Sequence, residues 1–186
     1  MLMTNRNTDR PSAATRPAPG RTPAHGLTAG DWGLLLLRLT FGLLMAGHGA
    51  QKLFGWFGGT GLTAVAKAFG DLGFHPARLF ALIGGLSELL GGLGLAVGLL
   101  TPLAAAALVG VMINAMVTVT AAHGLWDTDG GVEYNVGIAV VAIAVAAIGP
   151  GRLSLDRFFP WGRGGWPAAC VALGLGGIGA GITLSW

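Results

Sequence analysis

Arg38, His48, Gln51 and Lys52 lie within one apolar run, Glu88 in a second and Asn114 in a third. Ionisable groups are costly in hydrocarbon, so each needs a partner or a function. Glu88 is the costliest of them: a carboxylate in such surroundings either pairs with a cation or keeps a proton. Arg38 and His48 are its expected partners on the neighbouring run. Hydrogen-bond donors and an acid inside an apolar wall suit ligand binding or proton handling. Arg38, His48, Lys52, Glu88 and Asn114 are therefore the candidates for those roles. The chain contains no HExxH, no CxxC and no phosphate-binding loop, so no catalytic residue and no metal site is assigned. His48 and His123 fall at different levels and make a poor haem pair. Asp127, Asp129 and Glu133 read more simply as a hydrated acidic loop than as metal ligands.

These side chains must be carried by helices. At about 100° per residue, Arg38, Phe41, Gly42, Met45, His48, Gly49 and Lys52 share one stripe, which turns the polar groups toward other helices rather than lipid. From the side on which each helix enters nearest the chain's start, Glu88 and Asn114 lie about 18 Å deep and His48 about 22 Å, at 1.5 Å per residue. Three helices thus place a polar group in one layer near the membrane middle. A second set of candidates lies in the loops. Trp56, in Gly55-Trp56-Phe57-Gly58-Gly59, and Trp126 and Glu133 suit either an interfacial belt or a wall over an apolar ligand.

The chain of 186 residues is 53% hydrophobic and only 10% charged, with a mean hydropathy of +0.67. Soluble domains carry about 25% charged residues, so this composition defines an all-α integral membrane protein. Residues 1–30 read as a disordered tail rich in Pro, Thr and Arg. Five spans follow, at about 33–54, 76–100, 102–123, 133–148 and 166–186, the fourth being short. Arg6, Arg10, Arg16, Arg21, Arg152, Arg157 and Arg163 fall on one side, and Lys52, Lys67 and Arg78 on the other. The positive-inside rule then puts the N-terminus in the cytoplasm and the C-terminus outside, in a multi-pass arrangement in the cell (inner) membrane. The basic residues orient the chain in lipid and do not signal nucleic acid. Gly94-x-x-x-Gly98 and Gly177-x-x-x-Gly181 are expected points of close helix approach, the latter also a candidate subunit contact for a homo-oligomer. Cys170 is the only cysteine, which excludes an intrachain disulfide; it is expected to be a buried, inert thiol.

The ordered combination of Arg38…His48-Gly49-x-Gln51-Lys52 with Gly55-Trp56-Phe57-Gly58-Gly59 resembles DoxX-like membrane proteins. So do Glu88-x-x-Gly91-Gly92, Leu99-Leu100-Thr101-Pro102, Gly130-Gly131-x-Glu133-Tyr134 and Gly149-Pro150-Gly151-Arg152-Leu153-Ser154-Leu155-Asp156. The resemblance implies a four-helix transmembrane bundle over residues 31–157. Residues 158–186 then add a loop and one further C-terminal transmembrane helix. It also implies a membrane subunit of a redox assembly, quinone-linked or serving oxidative stress, with redox partner subunits and quinone as the candidate ligand. His48, Glu88 and Asn114 could face quinone oxygens, with Arg38 setting the charge of Glu88. Lacking a flavin or nucleotide motif, the chain is expected to act as an accessory subunit of an oxidoreductase rather than as a catalyst alone. A ligand-free scaffold or assembly protein and a small-solute or proton pathway are the alternatives.

Overall fold

The computed structural model describes residues 26–186; the tail expected over the first thirty residues lies largely outside them. Six α-helices form among the described residues: α1 (Ala29–Phe54), α2 (Gly61–Asp71), α3 (Ala77–Val97), α4 (Thr101–Ala115, continuing to His123), α5 (Glu133–Ile148) and α6 (Trp166–Leu184). No strand forms among the described residues. Helices α1, α3, α4 and α6 are long and apolar enough to cross a bilayer, whereas α5 has 16 residues and is about 24 Å long. The chain is an all-α membrane bundle.

Local chemistry sets the helix ends. Thr28 and Asp31 form a reciprocal capping box, which satisfies otherwise orphaned N–H groups and starts α1 at Ala29, four residues before the expected start. Gly55 and Gly98 end α1 and α3 with left-handed backbone at φ 73° and 65°, a conformation that costs glycine little. Beyond Ala115, α4 widens into a π-helical turn over Met116–Thr120 and tightens at Ala121–His123. Helix α2 went unread in the sequence because its apolar face is short and none of its residues is buried.

The bundle is built from α1, α3, α4 and α5, with α6 laid against α4 and α5, and α2 against α3. Its tightest seam is α1 on α3. A Cβ on Gly42 would sit 2.6 Å from Ala96 N and Gly92 O, and Gly49 and Gly92 are equally crowded by opposing backbone. These glycines let the backbones touch. They recur seven residues apart on both helices, as Gly42/Gly49 and Gly85/Gly92. Of the expected pairs, Gly94 lies close to Ala104 of α4 and Gly98 is crowded by Ser154 and Arg38, whereas a Cβ on Gly177 or Gly181 would meet nothing within 4 Å. Cys170 is exposed on α6 rather than buried, since the face of α6 that packs inward carries Ala169, Ala172, Gly176 and Ala180 instead.

A clasp closes the end of the bundle that holds the start of α1, here the near face. Arg38, 1% exposed, donates to the carbonyls of Ala96 (3.2 Å), Leu153 (2.8 Å) and Pro150. Asp156 accepts from the N–H groups of Leu100 (2.8 Å) and Thr101 (2.7 Å), the cap and first residue of α4, and from the Trp161 indole (2.9 Å). The segment after α5 is thereby sewn to the turn between α3 and α4.

Candidate ligand cleft and its polar network

A cleft of about 430 Å³ runs between α3, α4 and α6, with the end of α2 as a wall. Its lining on α4 extends from Leu103 to Val119, about 24 Å of helix. Toward the near face the lining is apolar, with Leu103, Ala106, Ala107 and Leu175. Toward the far face it is polar, with Lys52, Ser87, Asn114, Thr118 and Thr183. Phe69, Phe74 and Phe80 close the wall beside that end, the successive rings 5.3 and 5.5 Å apart. The volume lies in the range of small-molecule sites, and an apolar body with a few convergent polar groups is their usual character.

The expected polar layer is split. Asn114 lines the cleft, donating to Gly110 O (2.9 Å) and accepting from the Thr183 hydroxyl (2.8 Å), so α6 is tied to α4 there. Thr118 returns a hydrogen bond to Asn114 O (2.8 Å) at the start of the π-helical turn. Glu88 is 2% exposed and does not line the cleft. Its Oε1 pairs with Lys52 Nζ, and Lys52 does line the cleft. The carboxylate therefore reaches the cleft only through its lysine.

The partners expected for Glu88 are thus corrected. Arg38 is engaged by three carbonyls in the near-face clasp and makes no bond to Glu88. Geometry explains this: Arg38 is fourteen residues before Lys52 on α1, about 21 Å along the helix. His48 turns instead to Tyr134 of α5, with Nε2 3.4 Å from the phenol oxygen. Lys52, one turn beyond His48, has the longer side chain and reaches back to the carboxylate, as amphipathic cations do at helix ends. Glu88 Oε2 is buried with no hydrogen-bond partner among the described residues.

The loop candidates sit elsewhere. Trp56 and Trp126 are exposed and outside the cleft lining. Gln51 Nε2 donates to Phe57 O (3.2 Å) and holds the aromatic turn in which Phe57 takes a left-handed φ of 53°. Glu133 accepts from the Asp127 N–H (3.0 Å) and braces the 124–132 loop. His123 bonds to Val119 O, and no three metal-ligating side chains converge among the described residues.

Sequence reasoning missed two contributors. Thr183 was hidden in a span read only as an appended helix. Ser87 adjoins Glu88, but the mixed polar and apolar faces of α3 gave no hint that it would point to another wall.

The DoxX family model matches residues 33–121, a stretch from the body of α1 through α4 that includes Lys52, Glu88 and Asn114. The match supports a DoxX-like membrane protein. No curated protein and no solved structure matches the chain.

Proposed function

We propose that this protein is the membrane subunit of a redox assembly and offers a lipid-soluble quinone a binding cleft inside the bilayer. The cleft itself carries the reading: it is long and apolar, half-open, and has donors gathered at one end. A quinone presents an apolar tail and two carbonyl acceptors, and Lys52 and Ser87 at the polar end of the lining carry donors for them. The redox part rests on the DoxX resemblance. Electrons would come from partner subunits, and the chain would not act as an enzyme alone. Arg152, Arg157 and Arg163 at the near face, taken with the basic tail, support a cytoplasmic N-terminus and an external C-terminus in the cell membrane.

Photolabelling with an azidoquinone in native-like lipid tests the proposal. Labelled peptides confined to α4, α6 and the end of α2 support it; labelling spread over the outward faces of α1 contradicts it. One observation favours a ligand-free scaffold as the second reading. Asn114 already has its acceptor and donor engaged by Thr183 and Gly110, as a purely structural asparagine would.

A further inference from the structure

Among the described residues, Lys52 is the only charged side chain lining the cleft. Its side chain is 33% exposed, while that of its partner Glu88 is 3% exposed, so the pair has one accessible end and one sealed end. An ammonium has three N–H donors; Glu88 Oε1 takes one, leaving donors for a group in the cleft. Ser87 also lines the cleft. The Asn114 and Thr183 side chains bond to one another and to helix carbonyls, so the accessible donor strength is concentrated at Lys52. From that head the lining runs toward the near face past Ala107 and Leu103 with no further charge. The shape asks for one extended chain with an acceptor-rich head at its far-face end.

Charge balance says more about that head. Lys52 and Glu88 cancel, so an anion brought to Lys52 leaves one uncompensated negative charge in a medium of low dielectric. The sealed partner has a remedy. Glu88 Oε2 is a buried oxygen that accepts no hydrogen bond among the described residues, and a proton placed there restores neutrality. We infer that the cleft binds a single-chain acidic amphiphile, whose anionic head takes Lys52 from Glu88 while Glu88 takes up one proton. No covalent bond to carbon changes: Lys52 exchanges one carboxylate partner for another, and the proton comes from water. The other ionisable groups near Glu88 are few. Lys52 and His48 belong to α1, and Tyr134 of α5 bonds His48. Helix α2 offers only exposed Lys67 and Asp71, α3 itself only exposed Arg78, and α4 carries none before His123. Glu88 is therefore the group placed to respond. A fatty carboxylate and a lipid phosphate share this head chemistry. The inference does not rest on the quinone reading, which requires a neutral head.

The full chain in nanodiscs of zwitterionic lipid is offered palmitic acid, lysophosphatidic acid or hexadecanol, and occupancy is read by native mass spectrometry. The acidic heads bind at least about tenfold tighter than hexadecanol, and which acid wins identifies the source. Affinity for palmitic acid falls about tenfold per pH unit where the free acid and free Glu88 are both ionised, as uptake of one proton requires. In Glu88→Gln that pH dependence disappears and binding at alkaline pH tightens. Because Lys52→Met alone strands a buried carboxylate, the double variant Lys52→Met/Glu88→Gln is the folded control, and it binds acid and alcohol alike. Equal binding of acid and alcohol by the wild type overturns the inference, and so does an unchanged pH slope in Glu88→Gln. A quinone-free preparation that binds palmitic acid with the expected slope leaves this inference standing and removes the quinone reading alone.

Discussion

Three charged side chains define the residue scale, and they do different work. Asp156 is fully buried. Burial would push its carboxyl up, but the donors from Thr101, Trp161 and Leu100 outweigh that and hold it below the usual carboxylate value. A carboxylate lowered in this way stabilises the fold above its unfolded pKa, near 3.9. That contribution is lost as pH falls through the still lower folded value. Thermal stability in detergent should therefore drop below about pH 4, and Asp156→Asn should weaken that part of the drop. Asp156→Asn should also lose about 1.5–3 kcal/mol at neutral pH, the worth of hydrogen bonds to a charged group; an unchanged melting temperature would refute the clasp. Glu88→Ala strands Lys52 beside a new cavity and should cost about 3 kcal/mol or more. Asp129→Ala, in an exposed loop, should stay within about 0.5 kcal/mol. Comparable losses from the two would undo the ranking of Glu88. That these residues were special was legible from their types alone, because lipid penalises charge. Their pairing was not legible. Helix depth places a Cα, but Lys52 spans most of a turn with its side chain, and Arg38 found carbonyls that no pattern announces.

At the scale of elements, packing in lipid depends on how closely backbones approach, since apolar burial distinguishes helix from lipid only weakly. The α1–α3 seam therefore sets a sharp contrast among glycines of identical appearance in sequence. Gly49→Ala or Gly92→Ala places a Cβ against opposing backbone and should destabilise by about 1–3 kcal/mol or more. Gly177→Ala and Gly181→Ala meet nothing within 4 Å and should be neutral to within about 0.5 kcal/mol. Steric-trap or detergent unfolding measurements would show the difference, and a Gly177→Ala variant as damaged as Gly49→Ala would contradict the assigned seam. The spanning helices were readable because hydrophobic length and punctuation specify them, with Pro76 and Pro102 near helix starts; the capping box at Thr28 and the left-handed Gly98 that ends α3 went unread. The choice of interface was readable only in part. The GxxxG spacing drew attention to α3 and α6, while the working glycines sit seven apart on α1 and α3, where each helix presents the same face after two turns.

The whole molecule joins a fixed near-face end to a polar far-face end through one lipid-exposed cleft. The Arg38 and Asp156 clasp locks the α3–α4 turn, so differential opening should occur toward the far face. There α4 carries its π-helical turn, and such turns often mark functional positions. Hydrogen exchange in nanodiscs should protect Leu100 and Thr101 more strongly than Met116–Thr120, and the reverse order would place the rigid end wrongly. Composition and hydropathy displayed the bundle and its membrane setting from the start. The cleft could not be read that way, because it is a gap between α3, α4 and α6 that depends on how far α6 stands off. No residue pattern encodes that distance.

The most direct test of the ligand cleft is the quinone content of protein purified in mild detergent, extracted and quantified by mass spectrometry against matched lipid. Gly179 lines the cleft and has no neighbour within 4 Å of a built Cβ, so Gly179→Phe should fill the space without disturbing the helices. Near-stoichiometric quinone is expected in the wild type, and its loss in Gly179→Phe at unchanged melting temperature. Quinone at lipid background in both proteins would contradict the quinone reading and leave the scaffold reading in its place.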